Sequence, residues 1–529
     1  MMTSAAQLQV IRHALDGIAE QMGVALQRSA YSPNITERLD LSAAVFDPAG
    51  DMVAQAEHIP VHLGSMPAAV RAVLQVFELQ PGMQAIINDP YTGGSHLPDM
   101  TLVGAVGDDR DQIIGYVANR AHHADIAGAA PGSMPADAVD IAMEGLRVPP
   151  TLLVDSHGER PDVIDLLAAN SRTPAERYGD LRAQFAANHA GAHALRRLAQ
   201  GRGTERLRRD MNDLQDYAER RVRTAFTNLP TGTWSATDVL EYGDGLTLTA
   251  HVELTGQTMR VDLRDCPAQI ASNLNAVRAV TESAALFVMR VLTDPDAPAN
   301  AGAARPLVVQ TTPGTIVDAI FPAPVATGNV ETSQRLVDVV FRALAPALPD
   351  RVPAASQGTM NNILIGSRGS RDSFAYYETI GGGEGATPFR HGMDGVHTAM
   401  TNTRNTPAEA LELAYPLRVI RSELRSGSGG TGRFHGGEGI VRELQVLAPA
   451  TVTLQTERRS VPPWGLSGGH DGGTGSNTLI TADGQTQQLP AKTTISVQAG
   501  DRIRIETPGG GGWGLIEHPD SNPTGQITN

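Results

Sequence analysis

Apolar residues recur at steps of three and four between positions 5 and 30, at Leu8, Ile11, Leu15, Ile18, Met22 and Leu26. That spacing predicts a helix with one buried face, ended by the run Tyr31-Ser32-Pro33-Asn34. The period then drops to two. LSAAVF (41–46) and the short run 52–54 read as strands paired across the turn Asp47-Pro48-Ala49-Gly50, and a helix, AAVRAVLQVF, follows Pro67. TLVGAV (101–106) and IIGYVA (113–118) flank the charged turn 108–112, which predicts a hairpin. Helical spacing returns over 174–228, with Leu181, Phe185 and Leu195 before a break at Gly201-Arg202-Gly203 and Leu207, Met211, Leu214 and Tyr217 after it. Residues 233–265 alternate like a meander turning at 242–245 and 254–257, and helices fit 276–292 and 331–348. SFAYYETIGGGEGATPFRHGMDGVH (373–397) has no period and reads as a long loop, with Glu378, Glu384, Arg390, His391, Asp394 and His397 as its chemistry. Between 416 and 515, strands alternate with the clusters GSGGTGRFHGGEG, GLSGGHDGGTG and TPGGGGWG. These read as hairpin turns, because strands rather than phosphate-binding helices follow them.

The order of elements predicts the α+β class, as a mixed chain of several subdomains. An N-terminal α+β region (1–230) holds the hairpin and a helical middle segment. A central α+β region (231–415), a β-rich region (416–515) and a tail (516–529) follow. A length of 529 residues exceeds one ordinary core and suits that division.

Composition removes several classes of function. A net charge of −15 argues against nucleic acid and anionic membrane as partners, since both require a basic face. No apolar stretch reaches the roughly 18 residues of a membrane span, and MMTSAAQLQVIRHALDG carries His and Asp where a signal peptide needs an apolar core. The lone Cys266 makes neither an intrachain disulfide nor a thiolate zinc knuckle. A cytoplasmic chain is expected. Lys492 is the single lysine and lacks the glycines of a phosphate-binding loop, so any ATP chemistry is expected on another subunit or fold.

The candidate chemistry gathers at 88–125. The predicted hairpin brings its outer ends together, placing His96 and Asp99 of GGSHLPD beside His122, His123 and Asp125 of RAHHAD, with Asp89 upstream. Imidazoles and carboxylates without thiolates are the ligand set of Zn²⁺, Mn²⁺ and non-haem Fe²⁺. Asp40, at the start of its strand, and His62, in the loop before its helix, are within reach of the same end. Turn residues capping strands or facing water are the alternative.

Several stretches resemble the hydantoinase B/oxoprolinase family in order along nearly the whole chain. They include ERLDLSAAVFDPAGDMVAQAEHIPVHLGSM, NDPYTGGSHLPDMTLV, HHADIAG with PGSMP, NSRTPAERYGDLRAQ, FPAPVATGNVETSQR and TNTRNTPAEALELAYPL, besides the glycine clusters. The resemblance implies a divalent metal, zinc before manganese or iron, held by His96, Asp99 and one of His122 and His123, with His123 favoured and Asp40 as a fourth ligand. Asp125 or His62 would orient a ligand or act as base on the bound water. It also implies a hydantoinase A-like partner subunit that binds ATP, and hence a hetero-oligomer.

The expected reaction is ATP-dependent opening of a small cyclic amide: hydantoin, N-methylhydantoin, 5-oxoproline or a lactam. The partner phosphorylates the ring carbonyl, and a cation on this chain lowers the pKa of its water toward about 7 to supply hydroxide. Two rivals remain at this point: a subunit of an ATP-dependent ketone carboxylase, and a scaffold holding a structural ion in a closed, dry shell.

Overall fold

The computed structural model describes residues 5–56, 59–367 and 373–516. The expected tail therefore lies, from 517 onward, outside the described residues. The largest sheet has seven antiparallel strands in the order β2-β1-β5-β4-β3-β6-β7. These are β1 Leu41–Phe46, β2 Met52–Ala56, β3 Gln84–Ile87, β4 Asp99–Gly107, β5 Ile113–His122, β6 Thr151–Asp155 and β7 Gly158–Glu159. Both faces are covered, and the alternation of side chains along β1 serves both. Ala43 and Val45 join Leu15 and Met22 of the helix Ala5–Ser29 and Leu195 of the helix Pro174–Arg202. Ala44 and Phe46 join Met66, Val70 and Val73 of the helix His62–Val76.

That last helix begins earlier than its sequence suggests. Pro67 lies inside it, and His62 is its first residue rather than a loop residue. Packing explains the extension: Gly64 N donates to Ser283 Oγ at 2.9 Å on the helix Arg278–Leu292, an approach that a Cβ on Gly64 would block.

Farther along, Gly203 (φ +86°) breaks the long helical stretch into Pro174–Arg202 and Thr204–Phe226. A four-stranded sheet follows, formed by Gly232–Leu240, Leu246–Leu254, Met259–Asp262 and Leu307–Gln310. Its apolar face packs on Arg278–Leu292 and Ser333–Leu344 in the largest core. A second four-stranded sheet takes Asn362–Gly366 and Ala375–Glu378 from one side of residue 415 and Ala450–Gln455 and Lys492–Val497 from the other. The strand Ala375–Glu378 thus falls at the start of the stretch read as a loop. Its side chains are fully buried, and Tyr376 shares a core with Leu444 and Ile503 of the five-stranded sheet that completes the chain.

The glycine clusters do more than turn the chain. Their segments lie side by side as bare backbone: Gly437 N donates to Glu384 O (2.8 Å), Gly510 N to Gly437 O (2.9 Å) and Gly430 N to Gly510 O (2.8 Å). A Cβ on Gly436 or Gly437 would sit 1.9 Å from a main-chain oxygen, so only glycine fits. Lys492 has a structural partner, the buried Glu457, which also pairs with the buried Arg335.

Candidate metal centre

The hairpin of β4 and β5 sets the register of the centre. Pairing runs outward from Gly107↔Ile113, shifts by one at Val106↔Gly115, and ends at Asp99↔His122. The shift leaves Ile114 as a bulge residue. Gly115 must be glycine, since a Cβ there would meet Phe46 O at 2.3 Å. Asp99 N donates back to His96 O (3.1 Å), a tight turn that folds His96 over Asp99. His122 N donates to Asp40 O (3.0 Å), tying the residue before β1 to the same end.

Three donor atoms converge there. His96 Nε2 lies 3.2 Å from His122 Nδ1, and Asp99 Oδ1 lies 3.3 Å from each. The other carboxylate oxygen is already committed: Asp99 Oδ2 accepts from Ser95 Oγ (2.5 Å) and faces His62 Nε2 at 3.4 Å. His62 is held in turn by Ser42 Oγ at Nδ1 (2.8 Å). His96 Nδ1 faces Ala326 O at 3.4 Å, which favours the tautomer with its lone pair on Nε2. His122 stacks on Tyr377 at 4.6 Å, and its Nε2 is buried with no protein partner. These residues fit a divalent cation. Two imidazole nitrogens and one carboxylate oxygen, all buried, have only one another to bond, and their spacing matches the edge of a tetrahedron with bonds of about 2.0 Å.

The electrostatics are those of a shared charge site. Burial opposes ionisation of Asp99, but His96, His122 and His62 outweigh it and hold the carboxyl well below its ordinary range. Burial pulls His96 down, yet Asp99 prevails and raises it. For His122 burial wins, and its pKa is lowered. Asp40 Oδ2 stands 4.0 Å from His122 Nδ1 and 3.9 Å from Arg38 Nη2, at the rim of the centre.

Of the residues marked by the sequence, His96, Asp99 and His122 meet, with His62 and Asp40 beside them. His123 and Asp125 do not join. His123 points across the sheet, where its Nε2 bonds Gln184 Oε1 at 3.0 Å. Asp125 accepts from Gly132 N (3.2 Å), Arg172 N (2.9 Å) and Arg172 Nη1 (2.8 Å), so it anchors a loop. Asp89 accepts from Tyr91 N and pairs with Arg147. The sequence reading missed Ser95, Tyr377 and the threonines Thr379, Thr401 and Thr403 around the centre. Only Ser95 carried a signal, one residue before His96; the others arrive from some 250 residues away or more. The cavity at the centre is small, about 20 Å³, and is walled also by Val61, Asn329 and Met360.

Architecture and site together define a mixed α+β protein with a candidate centre for a divalent cation. The chain belongs to the hydantoinase B/oxoprolinase family, whose model matches residues 4–516. It is 41% identical to the uncharacterized protein MJ0963 of Methanocaldococcus jannaschii, over 97% of this chain and 91% of that one. It is 31% identical to the putative B-type component of a D-/L-hydantoinase from a Pseudomonas species, over 96% of this chain and 89% of that one. To the 5-oxoprolinase of Dictyostelium discoideum it is 36% identical, over 96% of its own length but only 40% of the relative's. Among solved structures it matches the ATP-dependent caprolactamase of Pseudomonas jessenii with TM-score 0.90 and 31% identity, over 97% of this chain and 91% of that one. An acetone carboxylase shares the fold at TM-score 0.87 and 17% identity, over 96% of this chain and 75% of that one. Among the described residues, no helix is long and apolar enough to cross a membrane.

Proposed function

We propose that this chain is the metal-holding subunit of an ATP-dependent hydrolase of cyclic amides, acting in a hetero-oligomer with a hydantoinase A-like ATPase subunit. The observation that carries the reading is the triangle of His96 Nε2, His122 Nδ1 and Asp99 Oδ1, kept clear by the commitment of Asp99 Oδ2 to Ser95 and His62. Amide resonance makes a ring carbonyl a poor electrophile. Phosphorylation of its oxygen on the partner removes that resonance and creates a leaving group. A divalent cation, zinc by preference for this nitrogen-rich set, supplies Lewis acidity and a water nucleophilic at neutral pH when bound.

The chain's own residues do the positioning. Ser42 and Asp99 fix both nitrogens of His62, so His62 holds the carboxylate in place. Asp40 Oδ2 is the fourth donor, at the rim. Thr379 and Thr403, bonded to each other at 2.6 Å, present hydroxyls to whatever enters. The need for ATP puts the assembly in the cytoplasm.

A second reading, a structural ion in a docking scaffold, draws on the 20 Å³ cavity, which takes a water but no ring. Co-purification with an A-like subunit, metal analysis, and an ATP-dependent screen over hydantoin, N-methylhydantoin, 5-oxoproline and lactams decide between them. Ring opening that vanishes with the metal in His96→Ala and Asp99→Ala is expected. A metal-free wild-type chain, or full activity in those variants, would defeat the proposal. Bicarbonate-dependent ATP turnover with acetone would redirect it to ketone carboxylation.

A further inference from the structure

A ring substrate needs more room than the triad offers, and a larger cavity of about 300 Å³ is lined in part by continuations of the same chain segments. No residue lines both cavities, but two chain segments run from one to the other. Asn329 and Val330 line the small one, while Gln334 and Val337 line the large one, about one to two turns farther along the same helical run. That run opens with a π-helical turn, Gly328–Thr332, a form common at functional sites. The second segment is 397–403: His397, Thr398 and Ala399 face the large cavity, and Thr401 and Thr403 the small one. A bond from Gln334 Nε2 to Thr398 O (3.0 Å) ties the two segments together. Ala399, with φ +54°, holds a backbone conformation that non-glycine residues seldom adopt and that recurs at binding sites.

Most polar side chains of the large cavity are committed elsewhere. Asp338 pairs with Arg458, Glu384 with Arg390, and Ser356 Oγ accepts from Gly385 N. His397 is the exception: both of its ring nitrogens are buried without a partner, and Thr398 Oγ1 is likewise unpaired. Leaving such groups unpaired is costly, and a ligand that pairs them removes the penalty. Phe287, Phe341 and Trp464 supply an apolar wall, and no Arg or Lys side chain lines the cavity among the described residues.

We propose that this cavity holds the ring of a neutral cyclic amide for reaction at the triad, and that His397 recognises the amide group. The inference rests on the hydrolase reading for the identity of the reaction. Burial, and then the nearby Arg38, push the His397 pKa down to about 3, so the ring stays neutral at neutral pH with one N–H and one lone pair. Those complement the carbonyl and N–H of an amide. An anionic ligand meets the carboxylates Asp338 and Glu384 in the lining and no lining cation.

The test uses the metal-loaded chain and 2-pyrrolidinone as probe, with affinity read by saturation-transfer NMR. His397→Phe is expected to weaken binding by about tenfold or more, and His397→Gln, which keeps a donor and an acceptor, to recover most of it. Val291→Trp, a change at a half-exposed position on the cavity wall, is expected to abolish binding by filling space. In the complex, His397→Phe should raise KM with little change in kcat and none in metal content. Absence of binding to the wild type, or equal binding to His397→Phe, overturns the chamber while leaving the metal reading intact. Binding that depends on His397 in a chain that holds no metal supports the chamber and removes the hydrolase reading instead.

Discussion

The two sides of the hairpin end both carry histidine and aspartate, yet they differ in kind. On one side His96, His122 and Asp99 converge on one another. On the other, Asp125 is saturated by Arg172 and main-chain N–H groups, and His123 is tied to Gln184. A concentration of ligand-type residues therefore does not by itself mark a site. What marks it is a set of lone pairs with no protein donor aimed at them.

Substitutions on each side sharpen that contrast. His122→Ala should remove the metal and lower ring opening about a thousandfold, the several kcal/mol a cation contributes, while His123→Asn should keep both. Metal analysis and single-turnover rates of the two variants check this; metal loss from the second alone would reverse the assignment. Asp125→Ala should destabilise the fold by about 3 kcal/mol by stranding Arg172, with metal content unchanged, as read by denaturant unfolding. Ser95→Ala should weaken metal binding by about tenfold, since it loosens the carboxylate rather than deleting a ligand; competition with a chelator measures it.

An effect seen only as a function of pH concerns the residue behind His96. Glu144 accepts from Val325 N and Ala326 N, and burial raises its pKa from 4.5 to about 8 against those two bonds. The folded chain thus keeps a proton that the unfolded chain releases near 4.5. Stability from this group is full below pH 4.5 and falls as pH rises to about 8, by up to about 1.4 kcal/mol per pH unit. Glu144→Gln should flatten the metal-free chain's stability profile across that window.

Much of this was legible from residue pattern. The first helix, β1 and β2, the hairpin and the central meander follow from their periods, and the convergence of its outer ends follows from the hairpin. The choice between His122 and His123 did not. Counting outward from the turn without a bulge pairs Asp99 with residue 121 and puts 123 on its face. The extra residue Ile114 shifts the register by one and exchanges the two histidines. Gly115 was the visible hint, a glycine inside a strand pattern. Tyr377 was illegible because its strand, Ala375–Glu378, precedes a glycine run and is specified by partners at Asn362–Gly366. Pro67 misled because tertiary packing against Ser283 overrode a local start signal.

The bare-backbone bundle bears on how this chain can evolve. Gly510 and Gly511 press on the main chain of Glu384 and Trp464, and Gly437 on that of Met393, all three on the wall of the larger cavity. Any substitution at these three glycines adds at least one carbon where none fits, so inherited variation is barred from their positions. Change among descendants must come instead from side chains that line this cavity, such as Phe287, Val291 and Phe341, which can be exchanged one at a time.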